Sequence, residues 1–193
     1  RICNGAADNA SGIAMMLELA RRLKAGPPLG RDIYVLATSA EEAGLLGARA
    51  FAKAPPLPLS GIVAAFNFDM MAVAPAGSPL GFIGRGQNPA LDAAILDVMA
   101  RNGRAVGDQS LADSFLQRQD GWALMQHDIP AVMVSSAYAD TARVEAFFEG
   151  PYHRPADNLK RPIELGGAAQ DVEFHVALAR WFGDTRRVRL TSR

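Results

Sequence analysis

The sequence has little cysteine, and neither sign of charge is in excess. Cys3 is the single cysteine among 193 residues, which excludes an internal disulfide framework and a zinc cluster built from thiolates. The 20 basic and 20 acidic residues balance, which argues against general binding to nucleic acid or to an anionic membrane. The sequence has no apolar run long enough to cross a bilayer and no signal-peptide pattern. These absences leave a chain of ordinary globular type.

The remaining composition is that of a folded enzyme-sized domain. Hydrophobic residues make up 49% and charged residues 21% of the chain, which is typical of a globular protein with a substantial core. The chain starts without an initiating Met and enters a motif at once. We therefore expect a processed or truncated chain, with residues 1–193 forming one domain.

Helix and strand patterns alternate along the chain. Apolar residues recur at helical spacing after Gly12, and short continuous apolar runs at 33–37 and 62–68 are typical of buried parallel strands. Further patterns predict a strand near 80–83, a helix over about 89–101, a strand at 130–135 and a helix at 167–182. This order predicts an α/β fold with a mostly parallel sheet, where sites form beyond the carboxyl ends of the strands.

Acidic residues follow several of these segments. They are Asp8, the pair Glu41 and Glu42, and Asp69, while His153 lies in a proline-flanked loop. Carboxylates with an imidazole and no thiolate suit Zn²⁺, Mn²⁺ or Co²⁺. Most of these residues also have a structural explanation when taken alone, whereas Asp69, which follows an apolar run, has no simple one. Glu41 and Glu42 suit a helix N-terminus, Asp8 suits a helix cap, and His153 suits an ordinary surface loop.

Four motifs in order favour the metal interpretation. The blocks are GAADNASG at 5–12, SAEEAGLLGA at 39–48, NFDMM at 67–71 and YHRPADN at 152–158. With these blocks the sequence resembles the dinuclear zinc exopeptidases typified by bacterial leucyl aminopeptidases and aminopeptidase Y. The resemblance implies a zinc exopeptidase fold, a mostly parallel sheet with helices on both faces, and hydrolysis of N-terminal peptide bonds by a zinc-activated water.

The resemblance also implies a role for each site residue. Asp8 would bridge two metals, Glu42 and His153 would complete one zinc site, and Asp69 would bind the other metal. Glu41 would be the general base, because one carboxylate must stay free to carry a proton while its neighbour binds metal. The peptide bond between Asp8 and Asn9 is expected to be cis.

Other residues are less specific. Asp120 is a candidate supporting residue, because it aligns with a family segment that usually reads Arg-Ser-Asp-His, but the residues on either side of it differ here. Asp157 is either a supporting residue or a turn residue. His127 is expected at the surface and His175 within the last helix. Two adjacent aromatic residues, Phe147 and Phe148, either line a side-chain pocket or pack in the core.

One expected element is absent. The family takes a histidine of the second zinc from a His-x-Asp segment upstream of the bridging Asp, and no such segment lies between Arg1 and Asp8. We therefore expect a fragment of a longer enzyme, or a chain completed by another polypeptide. Two zinc ions are expected in the full enzyme and at most one well held in this chain. An exposed sheet edge is expected to favour self-association.

Two other functions stay open. A catalytically silent binding or scaffold domain uses the same fold. Carboxypeptidase-type relatives usually carry Asp-Pro where this chain has Asp8 and Asn9, so an aminopeptidase is preferred, with a peptide as substrate. The resemblance favours a secreted or periplasmic protein.

Overall fold

The structure, a computed structural model, describes residues 2–187. Seven helices lie in this part of the chain: α1 (Ala10–Ala25), α2 (Leu46–Lys53), α3 (Pro89–Arg101), α4 (Ser110–Ser114), α5 (Gly121–Met125), α6 (Thr141–Glu149) and α7 (Gly166–Gly183). Within the described range, none of them is both long and apolar enough to cross a membrane.

Three described strands form a mixed sheet. They are β1 (Ala65–Phe66), β2 (Gly81–Ile83) and β3 (Ala131–Ser135), in the order β1-β3-β2. β1 pairs parallel to β3, and β2 pairs antiparallel to it. β3 is therefore central, and all of its residues are buried. The predicted α/β class is confirmed, and the sheet contains one parallel and one antiparallel pair.

Helices cover both faces of the central strand. Because side chains alternate along a strand, Val132 and Val134 face one core and Met133 faces another. α3 and α7 contribute to the first core with Ile95 and Leu178. α4 and α6 contribute to the second core, so β3 is enclosed from both sides.

Helix boundaries follow the local sequence. The Asn9 side chain accepts a hydrogen bond from the Gly12 amide at 3.0 Å and caps α1. Asn88 caps α3 in the same way through the Leu91 amide, and Pro89 occupies the first turn. These signals explain why the predicted bounds of α3 match those observed.

The predicted strand at 33–37 is wrong. The structure describes it as irregular backbone, and its four large apolar side chains, at positions 33–36, are between 41% and 66% exposed. A strand can bury both faces only between neighbouring strands and under covering helices, whereas the described sheet ends at β1. Self-association through such an exposed segment remains a prediction.

A buried carboxylate joins α7 to the chain after β3. Asp171 is fully buried and accepts hydrogen bonds from the Ser136 amide at 2.7 Å and the Ser136 hydroxyl at 2.8 Å. Its other oxygen pairs with Arg104 at 2.8 Å. Every oxygen of this anion therefore has a partner, as the burial of a charge requires.

His175 belongs to the interior of α7. Its Nδ1 lies 2.7 Å from the Asp171 carbonyl oxygen, and its ring contacts Phe66, Phe68 and Phe174. Burial among these rings lowers the pKa of His175. His127 is exposed. Both histidines thus lie where the sequence predicts.

Candidate metal centre and active site

Loops between the helices and strands bring the predicted site residues close together. Asp8 lies just before α1, Glu41 and Glu42 lie in the turn before α2, Asp69 follows β1, and His153 lies between α6 and α7. The Asn67 amide donates to the Val132 carbonyl at 2.9 Å, which extends the β1–β3 pairing toward Asp69. The carboxyl end of a parallel strand therefore positions this carboxylate.

Three of these side chains converge. Asp8, Glu42 and His153 each offer one ligand atom, and the three atoms lie within 4.8 Å of one another. His153 Nε2 is 3.3 Å from Asp8 Oδ2 and is in hydrogen-bond contact with Glu42 Oε1. Two carboxylates with one imidazole form a donor set that zinc accepts.

Asp69 lies beside this cluster but is not one of its three members. Its Oδ1 atom is buried and has no hydrogen-bond partner among the described residues. Burial, and then the negative charges of Asp8 and Glu42, raise the pKa of Asp69 to about 7. A buried carboxylate with an unpartnered oxygen, facing other carboxylates, is an arrangement that a cation would stabilise. The residues present therefore fit a metal.

Glu41 is half-buried next to these groups. Burial first, and then the charges of Asp69 and Glu42, raise the pKa of Glu41 to about 7. Within residues 2–187, its carboxylate makes no side-chain hydrogen bond, and it faces the same cavity as Asp8 and Asp69. Glu42 contacts His153 whereas Glu41 does not. The two adjacent glutamates thus occupy different environments.

The cavity beside the cluster has a volume of about 310 Å³. Four carboxylates form its acidic part, and the rest is largely aromatic and apolar: Met70, Phe115, Met133, Tyr138 and Tyr152. Phe147 and Phe148 do not line it. Their rings pack against Tyr152 at 5.8 and 4.6 Å, so packing in the core is the better interpretation of this pair.

Several lining residues were missed by sequence reasoning. Met133 could have been found from the alternation of β3, because it faces opposite to Val132 and Val134. Phe115 and Tyr138 lie outside the four motifs. Only the tertiary fold brings them to the cavity.

Asp157 supports the loop that carries Asp8. It is buried, and its two carboxylate oxygens accept from the Ala7 amide at 2.9 Å and the Asp8 amide at 3.0 Å. The peptide bond between Asp8 and Asn9 is cis, as expected. The position of Asp8 therefore depends on a residue 149 positions away in sequence.

Asp120 lies at the edge of the carboxylate cluster. Its charge contributes to the raised pKa values of Glu41 and Asp69. The Thr38 hydroxyl donates to its Oδ2 atom, whereas its Oδ1 atom is buried without a partner among the described residues. Burial raises the pKa of Asp120 itself.

The backbone around the site is unusual at four residues that carry side chains. Ala40, Leu45, Met70 and His153 have φ values between 51° and 61°, in the left-handed region. Such values are uncommon outside glycine and collect at functional sites. Each of the four lies in, or next to, a motif that carries a candidate site residue.

A comparison with protein-family models identifies the family of this chain. The model for peptidase family M28 matches residues 2–177. The chain belongs to this family. The predicted resemblance to dinuclear zinc exopeptidases is thereby confirmed.

Solved structures with the same fold include bacterial aminopeptidases. BSAP, a zinc aminopeptidase from Bacillus subtilis, matches with a TM-score of 0.69 and 26% identity over 91% of this chain and 42% of its own. The aminopeptidase from Aneurinibacillus sp. strain AM-1 matches with a TM-score of 0.62 and 22% identity, over 91% and 39%. LapA aminopeptidase from Legionella pneumophila matches with a TM-score of 0.68 and 22% identity, over 91% and 45%.

This M28 chain therefore spans less than half the length of each of these solved chains. A sequence comparison with curated proteins gives no significant match. Family and fold are established by the family and structure matches, and the roles of the individual site residues are proposed below.

Proposed function

We propose that residues 1–193 belong to the catalytic domain of a zinc-dependent aminopeptidase-type metallopeptidase, which hydrolyses N-terminal peptide bonds. The convergence of Asp8, Glu42 and His153 beside Glu41 carries this proposal. Membership of a peptidase family and the fold shared with BSAP, a zinc aminopeptidase, support it.

We assign two sets of zinc ligands in this proposal. Asp8, Glu42 and His153 would hold one zinc ion, which is the number of protein ligands that a catalytic zinc commonly has. Asp8 and Asp69 would hold a second ion. When bound, zinc supplies positive charge that lowers the pKa of water and polarises a carbonyl group.

The two positions are expected to differ in affinity. The second position has carboxylates alone, because among the described histidines His127 is exposed and His175 is buried in α7. An oxygen-only set is a weaker site for zinc than one with an imidazole. We therefore expect at most one well-held zinc ion per chain.

Glu41 would move the proton. As water adds to the carbonyl carbon of the N-terminal peptide bond, the Glu41 carboxylate takes one proton from the water. It then gives this proton to the leaving amine nitrogen as the carbon–nitrogen bond breaks, which yields a free amino acid and a shortened peptide. Glu42 is engaged with His153, so Glu41 is the adjacent carboxylate that stays free for this role.

Zinc content and peptidase activity test the proposal together. The complete enzyme is expected to hydrolyse a leucyl-anilide in the presence of zinc but not after chelation, and the purified chain is expected to hold at most one equivalent of zinc tightly. Elemental analysis and the anilide assay, with and without added Zn²⁺, measure both. Zinc binding without turnover would favour a binding or scaffold domain, and release of C-terminal residues would favour a carboxypeptidase-type enzyme. Two tightly bound equivalents would contradict the assignment of one strong position.

Replacing Asp157 by alanine is expected to lower zinc affinity by about 10–100-fold, because residues that orient a ligand have effects of this size. The change removes the acceptor of the Ala7 and Asp8 amides and frees the loop that carries Asp8. Competition with a chromophoric chelator measures the affinity.

Asp140→Ala is the matched control, since Asp140 caps α6 and pairs with Arg143 away from the cavity. It is expected to leave zinc affinity unchanged. Equal affinities for the Asp157→Ala variant and the unmodified chain would show that Asp157 does not position Asp8.

A further inference from the structure

The cavity contains a cation that the proposed chemistry does not use. Among its described lining residues, Arg118 is the one positively charged side chain, and it is exposed. Its guanidinium lies over the Phe115 ring at 4.8 Å. Tyr138 approaches the same ring edge-on, with the ring centroids 5.3 Å apart. Arg118 therefore belongs to the aromatic part of the cavity.

The guanidinium of Arg118 is available to a ligand. Within residues 2–187 it forms no ion pair, and every described carboxylate oxygen lies more than 4.0 Å away from its nitrogens. Stacking on Phe115 restrains the side chain by a cation–π contact while its N–H groups stay free. A guanidinium held in this way presents donors that match the two oxygens of a carboxylate.

The charge pattern of the cavity indicates the polarity of its occupant. Four carboxylates lie in the acidic part, where metal ions and a substrate amino group would neutralise them. Arg118 then remains as an uncompensated positive charge on the aromatic side. A cavity of about 310 Å³ is at the small end of ligand sites. A short molecule with an amino group at one end and a carboxylate at the other matches the charges of both the acidic part of the cavity and Arg118.

We propose that Arg118 binds a carboxylate of the substrate and makes this enzyme prefer short peptides with a free C-terminus. The inference rests on the proposed aminopeptidase function and assigns a substrate class to it. An aspartate or glutamate side chain of the substrate presents the same chemistry, so the test separates the two sources.

Hydrolysis of matched peptides provides the test. The ratio of kcat/KM for Leu-Leu to that for Leu-Leu-amide is expected to be about 10–100, the size of one hydrogen-bonded charge contact. In Arg118→Gln this ratio is expected to fall to near one. Arg118→Lys, which keeps the charge but loses the paired donors, should keep part of the preference. Arg85→Gln removes an exposed arginine outside the cavity lining and should leave the ratio unchanged.

A second substrate pair identifies the source of the carboxylate. If Arg118 receives an acidic side chain, Glu-Leu-amide should be preferred over Gln-Leu-amide, and Arg118→Gln should abolish that preference. This result would keep Arg118 as the carboxylate site but overturn the preference for a free C-terminus. Ratios near one for both pairs in the unmodified chain, or ratios that Arg118→Gln leaves unchanged, would overturn the inference.

A measurement of peptide binding tests the role of Arg118 independently of turnover. Calorimetry of the zinc-loaded Glu41→Gln chain, which should not hydrolyse the peptides, is expected to show tighter binding of Leu-Leu than of Leu-Leu-amide, and adding Arg118→Gln should remove the difference. If no peptide is hydrolysed but this difference is found, the proposed function fails while Arg118 still recognises a carboxylate. Equal binding of acid and amide would reject the inference whether or not the chain is active.

Discussion

Replacing Glu41 by glutamine is expected to lower kcat by about 10²–10⁴-fold, because loss of a general base has effects of this size. Glutamine keeps the shape of the side chain but cannot take a proton from water. Glu41 faces the cavity without a hydrogen bond to another described side chain, so the change should disturb no contact that supports the fold. Steady-state kinetics with a leucyl-anilide, at saturating zinc, measure the effect.

Glu42→Gln is the matched control one residue away. Glu42 contacts His153 and belongs to the three-residue cluster, so this variant should bind zinc more weakly and regain activity as zinc is added. The Glu41→Gln variant should bind zinc as the unmodified chain does and should not be rescued. Near-normal turnover of Glu41→Gln would assign the base to another residue, and identical zinc dependence of the two variants would contradict their separate roles.

Replacing Asp171 by alanine is expected to lower the free energy of unfolding by about 3–5 kcal/mol, because it leaves a buried charged partner without its counter-ion. Arg104 would lose its carboxylate, and the Ser136 amide and hydroxyl would lose their acceptor. This loss is a large share of the roughly 5–15 kcal/mol that stabilises a typical domain. Urea unfolding followed by circular dichroism measures it.

Asp97→Ala is the control for this stability change. Asp97 pairs with Arg101 within α3 on the surface, where an ion pair contributes about 0–1 kcal/mol. Asp171→Asn keeps the shape and one acceptor, so its loss of stability should fall between the two. A shift for Asp171→Ala no larger than that for Asp97→Ala would show that the buried network contributes little to stability.

The elements that the sequence predicts well are those with local boundary signals. α3 begins at Pro89 after the Asn88 cap, and α1 ends before Gly26 and two prolines. Such signals act over a few residues and need no tertiary context. The apolar run at 33–37 has no local signal that fixes it as a strand. Its burial depends on neighbouring strands, and the described sheet provides none beside it.

The candidate site likewise contains residues that the sequence motifs predict and residues that only the tertiary structure identifies. Asp8, Glu41, Glu42, Asp69 and His153 lie in motifs whose spacing is visible in the sequence, and the structure brings them around one cavity or its edge. The sequence alone does not separate a supporting role of Asp157 from a role in a turn, because its hydrogen bonds to the loop of Asp8 span most of the chain. Arg118 stands at the arginine of the family segment that contains Asp120, but nothing in the sequence shows that this arginine lacks an ion pair.

The left-handed backbone at Ala40, Leu45, Met70 and His153 sets a limit on engineering. Each such conformation costs about 1–3 kcal/mol and persists only where its surroundings hold it. Glycine at these positions would relieve the backbone strain, but at the buried Leu45 and Met70 it would also leave a cavity in the core, and at His153 it would remove a candidate metal ligand. A heat-resistant variant is better sought by improving solvent-facing helix positions, because substitutions that relax an active site commonly exchange activity for stability.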